Sequence, residues 1–247
     1  MLTNVPPGIF GIRGLMGSCH LLVDDHGGAV FLDTGLAGEA GQVRRLLRRL
    51  RLDPRAVQAI LLTHGHLDHG GNLAWLQRLT GAPVLAHPAE QAHLDGTWPF
   101  QGPARWCGRL ERFGYGMLGY RPGRIDRLLA DGDELPFWGG LRVVHLPGHT
   151  AGHCGFYSRR HDLLFCGDLF ASYFFRVHLP YAILNTVPEL MASSLRRALA
   201  LDPRFIVPQH YDVLDGELHR RRFDRMCAEV FARERRGESI LGRFGLG

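Results

Sequence analysis

Lysine is missing from this 247-residue chain. All 29 basic side chains are arginine, so a Schiff-base or other lysine-nucleophile mechanism is excluded. Cysteines at paired spacing are missing too. The five thiols, at positions 19, 107, 154, 166 and 227, are scattered, which reads as reduced cysteines rather than a disulfide framework. Cys154 and Cys166 read as small buried hydrophobes, Cys166 with its side chain turned away from the neighbouring Asp168. Long apolar runs are absent: none approaches the roughly 20 residues that cross a bilayer. Residues 1–22 also lack a basic start followed by an apolar stretch, so the expectation is a cytoplasmic protein with no membrane partner.

The net charge of +5 comes largely from Arg44, Arg45, Arg48, Arg49, Arg51 and the run Arg220-Arg221-Arg222. In the first cluster Val43, Leu46, Leu47 and Leu50 form a helical apolar stripe, leaving the arginines on the wet face. No aromatic residues alternate with these charges, so a nucleic-acid partner is not expected.

Against those absences stands an excess of histidine, 14 residues in all. Thr63-His64-Gly65-His66-Leu67-Asp68-His69-Gly70 places three imidazoles and a carboxylate within six positions. Such a concentration of nitrogen and oxygen donors points to a metal. The apolar run 57–62 before it suits a buried strand. If the chain stays extended from His64 to His66, both rings share one face, and Asp68 and His69 follow where a helix begins. The geometry permits two adjacent metal subsites. Three later strands also end in donors. Val143–His145 leads to Pro147-Gly148-His149, Leu163–Cys166 to Gly167-Asp168, and Arg204–Val207 to Pro208-Gln209-His210.

These runs resemble the metallo-β-lactamase superfamily, whose pattern is His-x-His-x-Asp-His followed by separate His, Asp and His residues. The resemblance spans residues 10–215 and fills every expected position. It implies an α/β (α+β) fold, the αββα four-layer sandwich, holding two divalent cations: zinc first, iron or manganese otherwise. By that resemblance His64, His66 and His149 form one subsite, Asp68, His69 and His210 the other, and Asp168 bridges them. Asp33, in Asp33-Thr34-Gly35, orients a ligand histidine. Asp68 carries the catalytic role of orienting water or moving a proton. His145 and His153 match ligands by type but not by position and are read as structural, as is His87.

The implied activity is that of a binuclear hydrolase of the glyoxalase II-like or lactonase-like branch. A hydroxide bridging the cations attacks the carbonyl of a thioester, ester or lactone. Tyr173 and Tyr181 do not clearly match the tyrosine that lactonases place after the bridging aspartate. Arg220, Arg221, Arg222 and Arg225 could imitate the basic substrate contacts of glutathione-thioester hydrolases. Two alternatives stay open: a mononuclear iron persulfide dioxygenase using His64, His149 and Asp168, and a metal-dependent phosphodiesterase.

The expected organisation is one metallo-hydrolase domain over 1–247, with an aromatic lid insertion at 95–127 and a C-terminal covering helix at 216–236. Expected strands are 19–24, 29–33, 57–63, 83–87, 134–146, 153–157, 163–167 and 204–208; expected helices are 38–51, 71–80 and 188–201. Trp98, Phe100, Trp106, Phe113, Tyr115 and Tyr120 populate the lid, and Phe170, Tyr173, Phe174, Phe175, Tyr181 and Ile183 a second loop at 170–187. These segments either wall a pocket for a small-molecule substrate, with Tyr173, Arg176 or His178 as polar contacts, or pack the domain or a homodimer contact.

Overall fold

The computed structural model describes residues 4–97 and 120–240, with Gly108, Arg109 and Phe113 between them. Trp98, Phe100, Trp106 and Tyr115 of the expected lid lie outside the described residues. Tyr120 donates its hydroxyl to the Leu94 carbonyl, 2.8 Å away, and Phe113 is exposed.

Two sheets stack face to face. The first runs β1 (Ile9–Arg13), β2 (Ser18–Val23), β3 (Ala29–Leu32), β4 (Val57–Leu61), β5 (Val84–Ala86) and β6 (Arg127–Leu128), antiparallel to β3 and parallel from there. The second contains β7 (Glu134–Leu135), β8 (Leu141–His145), β9 (Cys154–Ser158), β10 (Leu163–Tyr173) and β11 (Arg176–His178), with β12 (Phe205–Tyr211) parallel to β10. Between the sheets Leu22, Leu32, Leu61 and Leu85 meet Val143, Phe156, Phe165 and Val207. Phe165 is fully buried there beside His20 and Trp138, and cutting it to Ala would cost about 3–5 kcal/mol.

Helices cover the outer faces. Helix α1 (Ala40–Leu50) turns Val43, Leu46 and Leu47 inward, as its stripe requires, and ends on Arg51 in the left-handed conformation. The short α2 (Leu67–Gly70) and α3 (Leu73–Thr80) follow the histidine run, and α4 (Gln91–Leu94) follows β5. On the other sheet α5 (Met191–Ala200) and α6 (Gly216–Arg235) seal Leu164, Cys166, Phe170 and Ile206 with Met191, Leu195, Phe223 and Cys227. Asp215 caps α6 by accepting from Leu218 N. Three apolar layers thus separate four layers of secondary structure, an αββα sandwich. Among the described residues no helix is long and apolar enough to cross a membrane.

Several boundaries differ from the sequence expectation. Strand β1 was not anticipated. The expected strand 134–146 is two, because Trp138, Gly139 and Gly140 all take positive φ and break it. The expected loop after Asp168 begins as strand: β10 continues to Tyr173 and turns through Phe174-Phe175 into β11. All but its last residue are buried, so no apolar–polar alternation marked the extension. Gly167 is therefore not a strand end but an irregularity inside β10, where the register with β12 shifts.

Candidate metal centre

Three connections and two strands at one rim of the sandwich carry the site: the Asp33 turn, the 64–69 run and the His149 turn, with Asp168 on β10 and His210 on β12. Strand β3 ends at Leu32, and Asp33 follows with φ of 58°, a conformation uncommon for a residue with a side chain. Its Oδ1 accepts from Thr63 N at 2.8 Å. Its Oδ2 accepts from Thr63 Oγ1 at 2.8 Å and Gln209 Nε2 at 2.6 Å, and lies 2.9 Å from His69 Nδ1. A carboxylate can only accept, so Nδ1 of His69 carries the proton and Nε2 faces the centre. Thr63 has already given its hydroxyl hydrogen to Asp33, so at 3.1 Å it accepts from His64 Nδ1. His64 Nε2 is thereby turned inward. On the opposite side Asn185 Oδ1, 2.9 Å from His149 Nδ1, does the same for His149. Nε2 of His64 and Nε2 of His149 are buried and have no hydrogen-bond partner. Two inward nitrogens held in this way suit a cation better than an apolar void.

The run from His64 to His66 is loop rather than strand, since β4 stops at Leu61. The rings nevertheless meet: His64–His66, His64–His149 and His66–His149 centroids are 4.7, 4.8 and 4.5 Å apart. Gly65 is needed for a reason different from ion access. A Cβ there would stand 2.7 Å from His93 Cβ and 2.9 Å from Glu90 O. Gly167 is needed as well: at φ 55° its Cβ would lie 2.4 Å from His153 Nε2. That close passage lets Asp168 N donate to His153 Nε2 at 2.9 Å and sends the Asp168 carboxylate into the rim.

Asp168 sits between two groups of donors. Its oxygens are 3.3 Å from His69 Nε2, 3.6 Å from His149 Nε2 and 3.0 Å from His210 Nε2. Asp68 Oδ2 is 3.3 Å from His210 Nε2 and 3.6 Å from His69 Nε2. Three overlapping triads have donor atoms within 4.8 Å of one another: His64/His66/His149, His64/His69/Asp168 and Asp68/His69/His210. All seven residues singled out in the sequence come together here.

Charge divides the group. Burial, reinforced by neighbouring imidazoles, holds His64 and His66 well below the usual histidine range, and burial also lowers His149. These are neutral donors. Burial opposes the charged form of His69 and His210 too, but Asp168 and Asp68 outweigh it and hold both well above that range. Burial likewise opposes ionisation of Asp168, yet His210 and His69 keep its carboxyl well below the carboxylate range. Protons on His69 and His210 therefore balance the two carboxylates, a charge that a divalent cation would replace with proton release.

Sequence reasoning missed the groups that clamp the loops. Glu90 is fully buried; its carboxylate accepts from Gly65 N at 2.7 Å, Thr150 Oγ1 at 2.7 Å and Gly152 N at 2.8 Å. It ties the first histidine loop to the His149 loop. Burial pushes its pKa up to about 7 against those three donors. Thr34 Oγ1 donates to the His69 carbonyl, and Asn72 Nδ2 donates to the Thr34 and Leu36 carbonyls, pinning α2 to the Asp33 turn. Helix α3 begins at Leu73 rather than at residue 71, with no side-chain cap from Asn72. In the sequence these residues look like ordinary loop polar residues.

The histidines read as structural have partners outside the donor triads. His153 Nδ1 is 2.9 Å from the Leu146 carbonyl, His145 Nε2 is 2.8 Å from the Ala151 carbonyl, and His87 stacks on His145. Of the expected substrate contacts, Tyr173 and His178 line a cavity of about 310 Å³ that opens onto His66, Asp68, His149, Asp168 and His210. Tyr173 Oη is 3.3 Å from His210 Nδ1. Arg176 is exposed and is not among the lining residues.

The model of the metallo-β-lactamase superfamily matches residues 12–210. With the sandwich and the rim donors described above, the chain belongs to that superfamily. The hydroxyacylglutathione hydrolase GloC of Haemophilus influenzae is 29% identical over 207 residues, 81% of this chain and 87% of that protein. A hydroxyacylglutathione hydrolase of Aeromonas hydrophila is 32% identical, over 67% of this chain and 52% of that protein. Among solved structures, TTHA1623 in a di-iron-bound form superposes with a TM-score of 0.64 at 28% identity, covering 86% of this chain and 96% of that one.

Proposed function

We propose that this protein is a hydrolase built on a two-cation centre and acting on the carbonyl of a thioester, ester or lactone. The observation that carries the reading is the convergence of seven donors in overlapping triads, with the outward nitrogens of His64, His69 and His149 fixed by Thr63, Asp33 and Asn185. His64, His66 and His149 would hold one cation and Asp68, His69 and His210 the other, with Asp168 shared. Imidazole and carboxylate donors suit zinc first, and iron or manganese as well; the relative solved with two irons keeps iron in view. Bound divalent cations supply Lewis acidity and activated water at neutral pH.

The chain's own residues do the rest. Asp168 and Asp68 concentrate negative charge where the donors meet. Asp68, which lines the cavity, is placed to accept a proton from the attacking water and to return it to the leaving group. His69 first, and then His210 at 3.3 Å from Asp68 Oδ2, hold that carboxyl below its ordinary value against burial. Asp33 keeps His69 and Thr63 in register as charge moves.

The glutathione-thioester relatives favour the thioester or ester reading, while a phosphodiester would bring its own negative charge against a cavity with no lining arginine among the described residues. Metal analysis of purified protein, followed by assays on thioesters, lactones, aryl esters and phosphodiesters, tests the reading. About two equivalents of metal and carbonyl hydrolysis lost in His66→Ala and Asp168→Ala are expected. One equivalent of iron with oxygen uptake would instead select the persulfide dioxygenase arrangement of His64, His149 and Asp168.

A further inference from the structure

The cavity beside the donors is lined by two chemically distinct sets of residues. One is His66, Asp68, His149, Asp168 and His210; the other is Phe170, Ala171, Pro180, Tyr181, Leu184 and Met16. Tyr173 and His178 complete the lining among the described residues. No arginine lines the cavity among the described residues, and the chain holds no lysine. His178 adds no positive charge, because burial lowers its pKa. Its Nδ1 is also occupied, 2.7 Å from the Leu179 carbonyl.

A carboxylate or phosphate on the substrate, set against the apolar residues, gains no counterion from them. An apolar group there gains burial instead. Size narrows the choice: at about 310 Å³ the cavity lies at the small end of ligand pockets. Glutathione, with two carboxylates and an amine, does not match the charge of the apolar set.

We infer that the cavity is an acyl pocket: the substrate is an ester, thioester or lactone whose acyl arm is compact, apolar and uncharged, packed on Phe170, Pro180, Tyr181 and Leu184. This rests on the hydrolase reading for the chemistry, but the shape and charge of the pocket stand apart from it. Among the described residues Tyr173 and His178 supply the polar surface of the lining apart from the donors, so a single hydroxyl or carbonyl on the arm is tolerated and a formal charge is not.

Two measurements on metal-loaded protein separate pocket from chemistry. The first is kcat/KM for phenyl acetate, phenyl butyrate, phenyl hexanoate and monophenyl succinate, with the matching thioesters. The expectation is a rise of about fourfold per methylene until the pocket fills, with the succinyl compound at least tenfold below butyryl. The second is calorimetric affinity for acetohydroxamate and hexanohydroxamate, which needs no turnover; the longer chain binds at least tenfold tighter. Leu184→Arg reverses the butyryl-over-succinyl preference. Hydrolysis with no dependence on chain length, or with succinyl preferred in the wild type, overturns the acyl pocket and leaves the hydrolase reading standing. Tighter binding of the longer hydroxamate without hydrolysis of any ester or thioester upholds the pocket and overturns the hydrolase reading. Equal hydroxamate affinities without hydrolysis overturn both.

Discussion

The two halves of the donor cluster are built differently. His64, His66 and His149 are buried, neutral, and set in loops fixed by Thr63, Glu90 and Asn185. In the other half His69 is equally buried, but Asp68 and His210 are partly exposed and carry opposite charges, and His210 meets the hydroxyl of Tyr173 at the cavity wall. The first half is a preformed socket. The second is a charged face at the cavity. Cations in the two halves should therefore differ in affinity, the buried half holding more tightly because its donors need neither deprotonation nor reorganisation.

The largest effects come from removing one donor per half. His149→Ala should lose the tightly held equivalent and reduce kcat/KM by at least the ~10²–10³-fold associated with a single lost electrostatic contact. His210→Ala should keep one equivalent through dialysis against a weak chelator. Equal retention by the two variants would erase the asymmetry. Asp33→Asn comes next: an amide nitrogen would face the donors Thr63, His69 and Gln209. A 10–100-fold loss of metal affinity is expected by competition with a chromogenic chelator, the usual result when a ligand's supporting partner is lost.

Glu90 sharpens the picture of the socket. Its carboxyl is raised from 4.5 to about 7, so the folded state holds a proton that the unfolded state has released between those values. Stability assigned to this group falls as pH rises through that window. The unfolding free energy of wild type minus that of Glu90→Gln, from urea titrations of both, should drop by about 3 kcal/mol from pH 4.5 to 7. A flat difference would mean an ordinary carboxyl, its three donors offsetting burial in full, and a tighter clamp. The smallest effect belongs to the charged face. Tyr173→Phe removes one 3.3 Å contact to His210 and should change kcat/KM by about two- to tenfold, at a net 0.5–1.5 kcal/mol for one hydrogen bond.

What the sequence disclosed followed from how locally each signal is written. The donors were legible because chemistry sets their type and apolar runs precede them; His64 to His69 lie within one turn of loop and helix. The layers were legible because α1 and strands β2 to β5 carry clean apolar patterns, which β1 and β6 do not. What stayed hidden depends on distant partners. Asp33 meets Gln209 across 176 residues, and Glu90 meets Gly152 across 62; neither Glu90 nor Gln209 differs in type from a solvated polar residue. Strand β10 was cut short for a related reason: buried on both faces and kinked at Gly167, it shows neither alternation nor an uninterrupted apolar run.

That kinked strand carries Asp168 and, five positions on, Tyr173, so an ion donor and part of the substrate wall ride on one continuous piece of backbone. Attempts to retune selectivity from β10 would jostle the donor atoms with every change of bulk. The opposite wall, at Pro180, Tyr181 and Leu184, is harnessed to the other donors, because Asn185 Nδ2 donates to the Pro180 carbonyl at 3.3 Å while its Oδ1 faces His149 Nδ1. Neither bank of the cleft can be reshaped without pulling on a donor.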